Sequence, residues 1–293
     1  MKLSPKQLAE RADNAIARLE SCDLCPRNCG VNRIEDEPGF CRTGRQALLA
    51  SHGPHFGEEP PLVGSNGSGT IFFAGCNLGC IFCQNYDISH LLHGSLVTAD
   101  QLADVMMQLQ SRGCHNINFV SPSHAVAQIL EALPIAHKQG LKIPLVYNCG
   151  GYDSLETLKL LDGIIDIYMP DAKYADEKIA MELSRAPNYP KTMKAAFKEM
   201  HRQVDDLKLD AQGIATGGML IRHLVLPNGL AGTKEIIRFI ARELSTNSYV
   251  NVMAQYHPVY KAYDHSLLNR SITRTEYLEA LDMASGVGLR RGF

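Results

Sequence analysis

An α/β fold, built as a partial (β/α)6 TIM-like barrel with an N-terminal cysteine-rich extension, is predicted by three features of this 293-residue sequence. Six short apolar runs follow one another after Thr70. Amphipathic stretches of helical period separate them. Polar or glycine-rich residues close each run, where parallel α/β folds place their chemistry.

The first helix is predicted from about Pro5 to Glu20. Ser4 suits its cap, Pro5 its first position, and Leu8, Ala12, Ala15, Ile16 and Leu19 share one face. A cysteine-rich loop follows from Cys22 to Gly44. Ser51 to Thr70, rich in Gly and Pro, reads as irregular backbone leading into the main domain. The apolar runs are Ile71 to Ala74, Ile117 to Val120, Ile143 to Tyr147, Ile164 to Met169, Met219 to Leu226 and Tyr249 to Ala254. Between them, TADQLADVMMQLQSRG carries a Thr98/Gln101 capping box and Gly113 as its stop. Further helices are expected in SHAVAQILEALPIAHKQG, SLETLKLLDG, Lys191 to Leu209 and GTKEIIRFIARELST. Six such units are too few for a closed eight-stranded barrel. Two domains are expected: residues 1–60, a helix with a four-cysteine metal-binding extension, and 61–293, the barrel.

Hydrophobic residues make up 45% and charged residues 20%, an ordinary globular composition with a sizeable core. A net charge of -2 gives no electrostatic footprint for nucleic acid or an anionic membrane. No apolar run is long enough to span a bilayer, and the polar N-terminus lacks the apolar core of a signal peptide. A cytoplasmic monomer is expected. In a reducing compartment, nine cysteines point to metal or redox chemistry rather than disulfides.

The stretch AGCNLGCIFCQN holds Cys76, Cys80 and Cys83 immediately after the first run. Three soft thiolates hold a metal centre and leave one position open. Zinc with a distant fourth ligand, or a reactive thiol, are the plainer readings. Gly75 and Gly79 allow a tight loop. With Phe82 before the third cysteine, the C-x3-C-x2-C pattern resembles the radical S-adenosylmethionine superfamily. GTIFFAGCNLGCIFCQNYDIS is similar to the activating enzymes of glycyl-radical proteins such as pyruvate formate-lyase. The loop C-x2-C-P-R-x-C-G resembles that of their X-type branch.

The resemblance implies a 4Fe–4S cluster on Cys76, Cys80 and Cys83, with S-adenosylmethionine on the open iron. It implies reductive cleavage of that cofactor to a 5'-deoxyadenosyl radical, which abstracts hydrogen from the substrate. A glycyl-radical enzyme as protein substrate and flavodoxin or ferredoxin as electron donor follow from the same likeness. Radical modification of another protein or a small molecule is the alternative. A non-catalytic iron–sulfur or zinc protein that binds a partner is the rival class.

Phe82 is expected to wall the cofactor. Ser121 and Ser123 in VSPSH stand where the family often has a glycine-glycine-glutamate loop for the cofactor's amine. As plain structure they start a helix, with Ser123 as cap. Asn148 stands where related activases have an aspartate, and Cys149 is expected to be a small neighbour. Asp171 and Lys173 match the D-x-K pattern and project to one side of an extended strand end. A surface ion pair is the plainer reading. Arg222 resembles an arginine near the methionine carboxylate, with His223 pointing the other way as a structural residue. His257 matches a histidine that approaches the ribose. Cys22, Cys25, Cys29 and Cys41 read as a closed site for zinc or an auxiliary iron–sulfur cluster. His52, His55, Glu58 and Glu59 either cover the cluster or form a solvated linker. Cys114 is expected in the core.

Overall fold

A computed structural model of the chain describes residues 3–293, so Met1 and Lys2 of the extension lie outside it. Among the described residues, nine strands form one open sheet: β1 (Ala47–His55), β2 (Ser68–Phe73), β3 (Ser95–Val97), β4 (Ile117–Val120), β5 (Leu145–Cys149), β6 (Ile167–Pro170), β7 (Lys208–Leu209), β8 (Ala215–Leu224) and β9 (Tyr249–Met253). Their order is β3-β1-β2-β4-β5-β6-β8-β7, with β9 also on β8. Strands β2, β4, β5, β6, β8 and β9 are parallel and correspond to the six apolar runs. The barrel is therefore partial, as the sequence predicts.

Ten helices accompany the sheet: α1 (Pro5–Ala17), α2 (Pro60–Val63), α3 (Tyr86–Ser89), α4 (Ala99–Ser111), α5 (Val126–Lys138), α6 (Leu155–Leu161), α7 (Glu177–Ser184), α8 (Tyr189–Val204), α9 (Thr233–Phe239) and α10 (Arg274–Gly286). Capping boxes at Ser4/Gln7 and Thr98/Gln101 satisfy first-turn donors of α1 and α4. Leu8, Ala12 and Ala15 bury the inner stripe of α1, which packs on α5. Each fully buried leucine of this kind contributes about 1.5–3 kcal/mol.

The two-residue period of the strands divides the core. Ile117, Phe119, Leu145 and Tyr147 join the main cluster between sheet and helices. Val146, Ile167, Met169, Ala215 and Leu220 form a second cluster on the other face, inside the barrel, and Leu62 of α2 plugs it. The register then sets the next inward residues side by side. Asn148 pairs with Val120 and Met169, and Arg222 bridges Asp171 on one side and pairs with Asn251 on the other.

Two readings are corrected, and two helices are added. Ser51 to Thr70 is not irregular: it contains the end of β1, the helix α2 and the start of β2. Pro54 obscures the strand, yet β3 covers β1 only at Ala47 to Leu49, leaving Pro54 on an open edge where no donor is required. The first helix stops at Ala17, and residues 18–22 turn into the cysteine loop. Helices α7 and α10 lie outside the predicted elements, although the Asp176 cap and the Thr273/Glu276 box mark their starts.

Candidate active site

The loop from Ala74 to Asn85 leaves the C-terminal end of β2 and borders a cavity of about 500 Å³ inside the barrel. Gly75 has φ +85°, and a Cβ there would lie 2.8 Å from the Cys41 carbonyl oxygen, so only glycine allows this close approach. Cys76, Cys80 and Cys83 all line the cavity. Each sulfur has a donor aimed at it: the Leu78 N–H at 3.3 Å, the Ser184 hydroxyl at 3.0 Å and the Ser89 hydroxyl at 3.2 Å, respectively. Burial pushes the Cys76 and Cys83 thiols up, Cys83 to about 12, and the charge of Cys80 adds to both. Neutral thiols are thus favoured until a metal cation supplies the opposite charge. Three soft donors beside an open cavity, Cys80 buried and Cys76 and Cys83 half-buried, fit a cluster with one unligated iron.

Phe82 is buried on the cavity wall, edge-on to Tyr174 and Tyr256 at centroid distances of 6.3 and 5.9 Å. Asn148, Asp171, Lys173 and Arg222 line the same cavity. Asp171 receives the Lys173 ammonium at 2.7 Å and the Arg222 Nε at 2.7 Å, on separate carboxylate oxygens. The Arg222 Nη2 donates to Asn148 Oδ1 at 2.7 Å, and its Nη1 lies 3.5 Å from Glu58 Oε2. The side chains of Asp171, Lys173 and Arg222 are only 15%, 18% and 17% exposed, so the surface ion pair is replaced by a buried network. Burial alone would raise the Asp171 carboxyl, but Arg222 and Lys173 outweigh it and hold it below its usual range. Burial likewise opposes charge on Lys173 and Arg222, and Asp171 prevails in keeping both protonated.

Ser121 and Ser123 also line the cavity. Ser123 is not a helix cap: its hydroxyl is turned to Asp153 and Tyr147, and Ser121, at φ +56°, precedes a short turn without a side-chain cap. The Cys149 thiol is turned to Asp153 rather than to the other cysteines. His257 is the site residue the structure does not gather. It is exposed, its Nδ1 lies 3.2 Å from the Gln255 carbonyl oxygen, and it does not line the cavity. Beyond the end of β9 the chain no longer keeps strand alternation, so a position counted along the run does not fix direction. Gln84, Asn251 and Gln255 line the cavity without having been singled out in the sequence. His55, Glu58 and Glu59 line it too, whereas His52 is exposed.

His223 faces away from the site. Fully buried, it meets the Ala172 carbonyl oxygen at 2.7 Å and the Thr233 hydroxyl at 2.9 Å. Burial lowers its pKa to about 4, so the folded chain binds fewer protons than the unfolded one below about pH 6.5. The stability this neutral histidine contributes is present above that pH and is lost as pH falls toward 4. The loss amounts to about 3 kcal/mol. His223→Gln, which does not titrate, is expected to flatten the pH dependence of the unfolding free energy in that window by one proton, measured by urea melts.

Cys22, Cys25, Cys29 and Cys41 line a second, small cavity with Arg27 and Arg33. Burial pushes the Cys25 thiol up to about 12, with further increments from Cys41, Cys22 and Cys29. Arg27 ties this loop to the first one. Its guanidinium donates to the carbonyls of Asn77 at 2.7 Å, Leu78 at 3.1 Å, Ser184 at 3.0 Å and Arg185. It also lies 3.5 Å from the centroid of Phe40.

An open barrel of six parallel strands, with three cysteines on the loop after the first of them, defines a class. The family model of the Radical SAM superfamily matches residues 70–210, and the chain belongs to that superfamily. It is an enzyme family whose members work with a 4Fe–4S cluster and S-adenosylmethionine. An uncharacterized protein of Methanocaldococcus jannaschii, MJ0674, is 33% identical over 98% of this chain and 81% of its own. A radical SAM methyltransferase from Sphaerobacter thermophilus shares the fold at a TM-score of 0.51 and 14% identity, over 76% of this chain and 65% of that one. The FeFe-hydrogenase maturase HydG from Carboxydothermus hydrogenoformans does so at 0.50 and 13%, over 73% and 49%. No helix among the described residues is long and apolar enough to cross a membrane.

Proposed function

We propose that this chain reductively cleaves S-adenosylmethionine and uses the product to abstract hydrogen from a substrate. The observation that supports this most directly is the convergence of Cys76, Cys80 and Cys83 with the Asn148, Asp171, Lys173 and Arg222 network on one cavity. When bound there, the cluster and cofactor supply one-electron cleavage of the sulfonium and a 5'-deoxyadenosyl radical. The three thiols hold the cluster, and the donors on their sulfurs, from Leu78, Ser89 and Ser184, stabilise the thiolate charge. Arg222 and Lys173 offer cations to the cofactor's carboxylate, while Asp171 and Asn148 offer acceptors to its hydroxyls and amine. Phe82 and its two tyrosine neighbours exclude water from one wall. Ser121 supplies a further polar contact at the end of β4, and Ser123 braces Asp153 and Tyr147 beside it.

The test is anaerobic reconstitution with iron and sulfide, then a strong reductant and S-adenosylmethionine. The wild-type chain is expected to release 5'-deoxyadenosine. A fully reconstituted protein that releases none would sink the reading.

The finer reading, activation of a glycyl-radical enzyme with flavodoxin or ferredoxin as donor, rests on the likeness of GTIFFAGCNLGCIFCQNYDIS to activases. Its test is the glycyl-radical signal in an electron paramagnetic resonance spectrum of the partner. The acidic end of the cavity, at Glu58 and Glu59, favours a second reading, in which the substrate carries a cationic group.

Cys22, Cys25, Cys29 and Cys41 are proposed to hold a second metal centre, and residues 1–60 to serve the barrel as its metal-binding extension. Four thiolates suit zinc and an iron–sulfur cluster alike. Cys22→Ser is expected to lose this metal and keep the iron bound by the other loop. Elemental analysis checks it: loss of zinc alone names zinc, and loss of part of the iron names a cluster.

A further inference from the structure

The cofactor reading leaves one end of the cavity without a task. β1 runs antiparallel to β2, and His55 pairs with Ser68 at the start of β2. The segment after His55 therefore sets out from the end of the barrel opposite the cysteine loop. It carries Glu58 and Glu59 into the interior before α2 plugs the base with Leu62.

Glu59 is 6% exposed, and its Oε1 accepts from the Asn251 Nδ2 at 3.0 Å. Its Oε2 is fully buried and has no hydrogen-bond partner. Glu58, with a side chain 9% exposed, spans Arg222 at 3.5 Å and His55 Nδ1 at 3.4 Å. Burial, which outweighs the neighbouring Arg222, raises the Glu58 carboxyl.

This corner is rich in carboxylates and short of free cations. Asp171, Glu58 and Glu59 face Lys173 and Arg222, both already engaged on Asp171, and the His55 imidazole stands beside Glu58 and does not reach the open Glu59 oxygen. An unpartnered buried carboxylate oxygen is destabilising, because it has given up water and gained no donor in return. Proteins retain such a cost where a ligand relieves it. A hydrogen-bond acceptor in a region short of positive charge calls for a donor that also carries positive charge. A neutral hydroxyl would fill the bond and leave the charge.

We propose that Glu59, with Glu58 beside it, forms a substrate subsite for a cationic nitrogen group, an ammonium or a guanidinium. This rests on the radical reading for the word substrate, but its binding test needs no turnover. The reconstituted protein is held with S-adenosylmethionine and no reductant. Agmatine, butylamine and neutral 1-butanol are then compared by thermal shift.

Either cation, at about ten times its Kd, is expected to raise the Tm by about 3 °C, and 1-butanol is not. Which cation acts separates guanidinium from ammonium. Glu59→Gln, and independently Glu58→Gln, are expected to weaken that cation at least tenfold while leaving the Kd for S-adenosylmethionine within twofold. The proposal fails if neither cation shifts the wild type, or if 1-butanol matches them. It also fails if Glu59→Gln instead weakens S-adenosylmethionine tenfold, because the cofactor's own amine then occupies the corner. Absence of 5'-deoxyadenosine in the separate reductant assay overturns the radical reading and leaves the cation result standing.

Discussion

Cys80→Ala is expected to give a folded chain that binds little iron after reconstitution and releases no 5'-deoxyadenosine. The cost to folding is small, because the thiol is a minor apolar group in a well-packed wall and its polar contacts are two hydroxyls, Ser184 at 3.0 Å and Tyr174. The two hydroxyls keep each other as partners at 2.6 Å. The cost to metal binding is large. Among the described residues the cavity offers one further cysteine, Cys149, and its thiol is turned to Asp153. Two thiolates would have to hold what three hold in the wild type. Iron per chain, the visible absorption of the cluster and a chromatographic assay for 5'-deoxyadenosine check the result, with a thermal melt to confirm folding. Retention of iron and product together would remove Cys80 from the proposed ligand set.

Arg222→Met is expected to lose about 3–5 kcal/mol of stability, the range for removing one partner of a buried ion pair. Methionine fills similar space, so the loss is electrostatic. Asp171 keeps Lys173, but Glu58 loses its nearby cation and Asn148 Oδ1 loses its donor. The effect has a sign in pH. In the wild type the depressed Asp171 carboxyl contributes stability above the ordinary carboxylate pKa of about 4, and this is lost as pH falls through its lower folded value. In the variant, Glu58, already raised by burial, rises further. A raised carboxylate contributes below its ordinary value, and that contribution is lost as pH increases through the folded value. The gap between wild type and variant is therefore expected to be narrower at pH 4.5 than at pH 7.5, measured by urea melts at both. Equilibrium dialysis of S-adenosylmethionine is expected to show weakened binding in parallel.

The parallel strands were legible because each is a short apolar run closed by turn residues, and that signal is local. The three cysteines and the D-x-K pair were legible because spacing along a loop or strand end fixes neighbours directly. What was not legible depends on contacts far apart in sequence. Glu58 meets Arg222 and Glu59 meets Asn251 only after β1 folds back along β2. Nothing in GEEPP distinguishes those carboxylates from a solvated linker. His257 fails for the opposite reason: a match one residue wide carried a direction that the irregular backbone after β9 does not supply. Helix α10 has a plain Thr273/Glu276 capping box, a local signal at its first turn.

Arg27 has a further consequence. Its side chain reaches carbonyls 50 to 158 positions away, and Gly75 and Gly79 press against Cys41 and Phe40. The extension and the barrel are thus keyed to each other by one arginine side chain that reads backbone carbonyls and by glycines that admit close neighbours. A fragment starting at residue 61 would leave the Asn77, Leu78 and Ser184 carbonyls without these donors, uncover α5 and strip β1 from the sheet. The smallest cooperatively folding unit is therefore expected to span both cysteine loops. A graft of the barrel alone into another protein would carry the AGCNLGCIFC motif without the scaffold that shapes it.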